Sequence, residues 1–109
     1  MEKDDNSDLE TVKQFYTGWE NRNQDLLKLS DDFIHISPYG SFNSKDEFLK
    51  ECWKFSGLKF INTGFYKTDN CIKVTYELES DNGIMSVTEF VYLKDGLISK
   101  IEVKFGINS

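Results

Sequence analysis

From Leu9 the apolar residues recur three and four apart, as Leu9, Val12, Phe15, Tyr16 and Trp19, which places them on one face of a helix. Ser7 with Glu10 has the form of a capping box, so this helix is expected to start just after the polar run 1–6 and to end at 21–23. A short second helix is expected at 25–29. Residues 33–37 alternate as a strand, with Phe33, His35 and Ser37 on one side and Ile34 and Ile36 on the other. Pro38-Tyr39-Gly40 then turns the chain. Ser44 and Glu47 repeat the capping pattern, and Phe48, Leu49, Cys52, Trp53 and Phe55 continue it as an apolar helical stripe that stops at Gly57.

After Gly57 the period drops to two, which predicts four strands over 58–67, 71–79, 84–94 and 97–105. Asp81-Asn82-Gly83 and Asp95-Gly96 are strong hairpin signals. In the second strand Ile72, Val74, Tyr76 and Leu78 share a face. In the last, Ile101, Val103 and Phe105 do so. The strand 84–94 is apolar on both sides, with Thr88, Phe90 and Tyr92 facing one way and Val87, Glu89, Val91 and Leu93 the other. A sheet apolar on both sides calls for cover on both, and the outer face, with Val87, Val91, Leu93 and Ile98, is expected to pair with a second copy. Helices segregated from an antiparallel run give an α+β fold, here N-terminal helices packed on a curved, mostly antiparallel sheet. The expected division is a leader over 1–7, a single domain over 8–106 and a tail over 107–109.

Composition narrows the function. The 109 residues include no alanine and 15% aromatics, so large rings must fill a small core, a packing that readily leaves a cavity. A net charge of −6 argues against a nucleic-acid partner, which needs clustered Lys and Arg. Cys52 and Cys71 have no metal spacing and read as two free, buried thiols; neither a metal nor another cofactor is expected. The absence of a signal peptide or an apolar run of membrane length makes a soluble cytoplasmic protein the expectation.

Six segments then carry a resemblance: Phe15-Tyr16-x-x-Trp19, Leu26-Leu27-x-Leu29-Ser30-Asp31-Asp32-Phe33, His35-x-Ser37-Pro38-Tyr39-Gly40, Lys45-Asp46-Glu47-Phe48, Lys94-Asp95-Gly96-Leu97-Ile98 and Phe105-Gly106. In this order, over residues 8–106, the chain resembles the nuclear transport factor two-like superfamily, a cystatin-like, cone-shaped α+β roll, and within it the SnoaL-like branch. The resemblance implies a conical, mostly apolar pocket. Carried over by strand parity, its wall would include Tyr16, Trp19, Phe33, His35, Ser37, Trp53, Tyr76, Thr88, Phe90, Tyr92, Val103 and Phe105.

The enzymes of that superfamily set different demands. At the positions of the ketosteroid isomerases' base aspartate, tyrosine and second aspartate stand Ser37, Phe15 and Thr88, with Tyr16 one residue from the tyrosine position. Paired histidines, as in scytalone-dehydratase-like chemistry, are excluded by there being one histidine. The Asp-Arg-Asp group of limonene-epoxide-hydrolase-like enzymes is not matched by Arg22 at a helix end. SnoaL-like polyketide cyclases need one acid–base group in an apolar cavity, and His35 is the candidate. Its alternatives are a core histidine paired with a carbonyl or hydroxyl, or a ligand contact without catalysis.

Two functional readings follow. In the first, an apolar or aromatic small molecule binds in the pocket and undergoes proton transfer, isomerisation or cyclisation at His35. In the second, the domain is a non-catalytic carrier or a dimeric interaction module. A cavity of at least ~300 Å³ beside His35 favours the first, and a pocket filled by Trp19, Trp53 and Phe55 the second.

Overall fold

The structure, a computed structural model, describes residues 3–38, 40–80 and 83–105. Helix α1 (Lys3–Asn21) is followed by a 3-10 turn (Gln24–Leu26), strand β1 (Leu29–Ser37), strand β2 (Gly40–Phe42), helix α2 (Lys45–Cys52) and a second 3-10 turn (Trp53–Phe55). Strands β3 (Ile61–Lys67), β4 (Ile72–Ser80), β5 (Gly83–Lys94) and β6 (Leu97–Phe105) complete one six-stranded sheet of order β2-β1-β6-β5-β4-β3. Among these described strands β1 and β6 pair in parallel and the other neighbours are antiparallel. This is the α+β architecture expected, with two helices on one face of a mostly antiparallel sheet.

Several boundaries differ for local reasons. Helix α1 begins at Lys3, so Ser7 lies within it and its carbonyl accepts from Thr11 Oγ1 at 3.0 Å. No Pro or Gly interrupts the chain between Lys3 and Thr17, and acidic residues suit the positive end of a helix. At 25–29 only one 3-10 turn forms, because Leu29 and Ser30 are claimed by β1. The Ser44 cap forms as expected, its Oγ accepting from the Glu47 N–H at 3.1 Å, while the Glu47 carboxylate reaches Asn43 N–H rather than Ser44. Asp95 and Gly96 both take positive φ, the conformation a two-residue hairpin requires. Asp81 and Asn82 of the other hairpin, Tyr39, Gly106 and the tail 107–109 lie outside the described residues.

One irregularity decides which residues face the helices. Counting back from the Asp95-Gly96 turn, Lys94 pairs with Leu97 and Leu93 with Ile98, but Tyr92 pairs with Lys100. Ser99 is therefore a β-bulge, and its hydroxyl donates to the Tyr92 carbonyl at 3.2 Å. A one-residue bulge moves every later pair by one and so exchanges faces. Without it Thr88 would stand opposite Val103; with it Glu89 does. The expected parity of β5 is thus reversed. Val87, Glu89 and Val91 are buried beneath the helices with Ile98, Ile101 and Val103, and Leu93 packs against the same core. Thr88, Phe90 and Tyr92 lie on the opposite face, paired with Lys104, Glu102 and Lys100.

Helix α1 ends in a tight reversal. Arg22 takes the left-handed conformation, φ 56°, and Asn23 N–H donates to the Gly18 carbonyl at 2.8 Å. The same helix end then holds the segment before β3: Gly57 N–H donates to Trp19 O at 2.8 Å, Phe60 N–H to Glu20 Oε2 at 2.8 Å, and Arg22 Nη1 to Ser56 Oγ at 2.6 Å. Gly18 makes this reversal fit, since a Cβ there would stand 2.7 Å from Asn23 O and 2.8 Å from Leu27 Cδ1. Gly18→Ala should therefore destabilise the fold by about 1–3 kcal/mol from overpacking, although alanine favours a helix by about 1 kcal/mol. Urea unfolding checks this; an unchanged or higher midpoint would show that the turn is not packed against Gly18.

Candidate functional site

The helices and the concave sheet face enclose a cavity of about 590 Å³. Its wall is mostly aromatic. Phe15 and Trp19 stack along α1 with ring centres 5.8 Å apart, and Trp19 stacks on Phe48 of α2 at 5.5 Å. On the other side Phe60 meets Tyr16 at 5.3 Å and Tyr76 at 4.6 Å. Phe55 and Leu58, 54% and 47% exposed, also border the cavity, so they stand where it meets solvent.

Two polar groups are set into this wall, which also carries Ser37, Glu51 and Lys54. The first is Glu89, 7% exposed, set in the middle of the sheet between Val74 and Val103. Tyr16 donates its hydroxyl to Glu89 Oε1 and Tyr76 donates to Oε2. Among the described residues no Lys or Arg pairs with this carboxylate. Burial raises the Glu89 pKa, and the two hydroxyl donors only partly oppose it. Both phenols are pushed upward, first by burial and then by the Glu89 charge, so they remain O–H donors at any working pH.

The second group is His35 on β1. Its ring stacks on Phe48, centres 4.6 Å apart and planes 27° from parallel. Nδ1 is buried with no hydrogen-bond partner, although the ring borders the cavity. Burial lowers the His35 pKa to about 4. At neutral pH His35 is thus a neutral N–H donor, not a histidine satisfied by a carbonyl or hydroxyl of the core. His35 stands opposite Ile101, which stands opposite Val91 of β5. Two strand spacings, about 10 Å, therefore separate His35 from the strand of Glu89, with Val103 of β6 on the floor between.

Of the residues expected to form the wall, Tyr16, Trp19, His35, Ser37, Tyr76, Val103 and Phe105 border the cavity. Phe33 is fully buried behind it, packed on Phe48, and Trp53 is set back against Trp19 beneath the Arg22 guanidinium. Thr88, Phe90 and Tyr92 are excluded by the Ser99 bulge, which brings in Glu89 instead. Phe15, Phe48, Phe60 and Glu89 were not expected there. The last strand carries no clear signal for Glu89: its apolar residues fall at 97, 98, 101, 103 and 105, and Leu97 keeps an unbroken parity with Ile101, Val103 and Phe105 that hides the bulge.

No family model and no curated protein matches the chain. Solved structures do. A candidate ketosteroid isomerase from Kribbella flavida superposes with a TM-score of 0.82 at 12% identity, over 95% of this chain and 81% of that one. A candidate polyketide cyclase from Xanthomonas campestris gives 0.77 at 14% identity, over 93% and 91%. A nuclear transport factor two-like protein of unknown function from Cytophaga hutchinsonii gives 0.75 at 15% identity, over 87% and 86%. The chain therefore has the nuclear transport factor two-like fold. At such identities the likeness concerns fold alone, since one fold serves unrelated activities.

The two polar groups set opposite limits on stability. The fold favours neutral His35, so the unfolded chain binds more protons between pH 6.5 and about 4, and stability is lost as pH falls through that window. It also favours neutral Glu89, whose contribution is present below pH 4.5 and lost as pH rises through its raised folded value. Urea unfolding across pH should show His35→Phe lacking an acid-side loss on the order of 3 kcal/mol. An identical acid limb in the variant would contradict the buried, neutral imidazole.

Proposed function

We propose that the domain binds an apolar or aromatic small molecule in this cavity and transfers a proton there, with Glu89 as the acid–base group. The observation that carries this reading is a carboxyl group with no counter-ion among the described residues, in an aromatic-walled cavity. Burial moves its pKa toward the range in which it exchanges protons near neutral pH. His35 orients the ligand and is not the proton carrier in this reading, because burial disfavours its charged form. The space favours binding over a filled core: at about 590 Å³ it is in the range of small-molecule sites, and Phe55 is largely exposed at its edge.

A flat probe such as 2-naphthol should bind and change the emission of Trp19, which lines the cavity. Val103→Phe, which puts a ring on the cavity floor, should weaken binding at least ~10-fold, about 1.4 kcal/mol. Equal affinity in the variant would place the probe elsewhere and remove the support for this reading.

The expected homodimer transfers to the true outer face. There Phe90 and Tyr92 lie at the centre, between Lys73 of β4 and Lys100 and Glu102 of β6, a mixed-charge surface suited to a second copy of itself. Sedimentation at micromolar concentration should give a dimer that Phe90→Glu dissociates; a monomeric parent chain would end this proposal.

A further inference from the structure

We infer that the guest of this cavity is an organic cation, a flat apolar body carrying an ammonium group that sits against Glu89. The inference rests on the reading of the cavity as a small-molecule site and adds to it the charge and chemical class of the guest.

It starts from a balance of charge. Around the cavity Tyr16, Tyr76 and Cys52 keep their protons and His35 stays neutral, in each case first because burial disfavours the charged form. Glu51 and Lys54 border the cavity with opposite charges, and Lys54 Nζ stands 5.4 Å from the centre of the Phe55 ring, at the exposed edge. Ionised Glu89 is then the uncompensated charge of the wall, and among the described residues no Lys or Arg pairs with it. The two phenols bring it hydrogen bonds but no charge. A buried carboxylate calls for a cation, and the open space beside Glu89 admits one.

Hydrogen bonding sets the same requirement. Each Glu89 oxygen already accepts one phenol O–H, and the lone pairs left on both can only accept. The polar end of a guest at this place must therefore donate. An ammonium N–H donates and brings the missing charge, a hydroxyl donates without it, and a carboxylate does neither.

The rings complete the socket. Phe60 meets Tyr16 at 5.3 Å and Tyr76 at 4.6 Å, and Tyr16 meets Phe15 at 5.0 Å, so aromatic rings crowd the same end of the cavity as the carboxylate. Their electron-rich faces attract an ammonium ion that has shed its water. Trp19 and Phe48, stacked at 5.5 Å, wall the space left for the flat body. A net charge of −6 over the chain also draws cations toward it. With the cation in place Glu89 stays ionised, the form that accepts a proton in the function proposed above.

The test compares 2-naphthylmethylamine, protonated at neutral pH, with 2-naphthylmethanol and 2-naphthoate, each titrated into the full chain by calorimetry. The amine should bind at least ~10-fold more tightly than the alcohol, and the carboxylate more weakly than either. Glu89→Gln should cut the amine's advantage to less than ~3-fold. In the parent chain, saturating amine should lower the carbon-13 titration midpoint of the Glu89 carboxyl and the alcohol should not, a reading that needs no variant to fold. An alcohol that binds as tightly as the amine, an advantage that survives Glu89→Gln, or a midpoint that the amine leaves in place overturns the cation and leaves the small-molecule cavity standing. If neither the amine nor the alcohol binds, both readings fall.

Discussion

The inserted Ser99 in β6 is the constraint on which the rest of this molecule depends. A strand has a period of two, so one unpaired residue next to a hairpin exchanges the faces of everything beyond it. Here that exchange puts Val87, Glu89 and Val91 under the helices and leaves Thr88, Phe90 and Tyr92 outside. The hairpin turn itself is regular, with Asp95 and Gly96 both at positive φ. The same bulge therefore shapes the core, the outer sheet face and the candidate site.

Turning a carboxylate inward has a cost that the surrounding side chains only partly offset. An unpaired buried carboxylate would be neutralised or expelled, and two phenol donors are enough to hold it without a cation. Burial still leaves its pKa raised, and it leaves His35 with an unpartnered Nδ1. Both features work against stability in a small domain, and both sit at the cavity. Local strain of this kind in an otherwise well-packed fold is what a functional site predicts. The polar ties between the end of α1 and residues 56–60 serve the same place, since that segment carries Leu58 and Phe60 of the cavity wall.

Much of the architecture was legible in the chain. The 3.6-residue period of Val12, Phe15, Tyr16 and Trp19, the Ser44 cap and the change of period after Gly57 each report a local interaction, and each gave the right element. Strand β2 and the N-terminal turns of α1 carried no such mark, because a three-residue edge strand has little pattern and polar residues enter a helix without an apolar stripe. The wall from α1, β1, β4 and β6 could be read by alternation, as for Tyr16, His35, Tyr76 and Val103. The wall from β5 could not be read from β5 alone, because a strand apolar on both sides has no preferred face until its partner's register is known. That register turns on the bulge at Ser99, which lies in a different strand and which Leu97, in unbroken parity with Ile101, Val103 and Phe105, conceals in the sequence.

The central claim is that Glu89 sits inside the cavity and holds its proton more tightly than a surface glutamate. Site-resolved carbon-13 NMR of the Glu89 carboxyl through a pH titration measures this directly. The structure predicts a midpoint above the ordinary 4.5. A midpoint at or below that value, like those of exposed glutamates in the same spectrum, would contradict it.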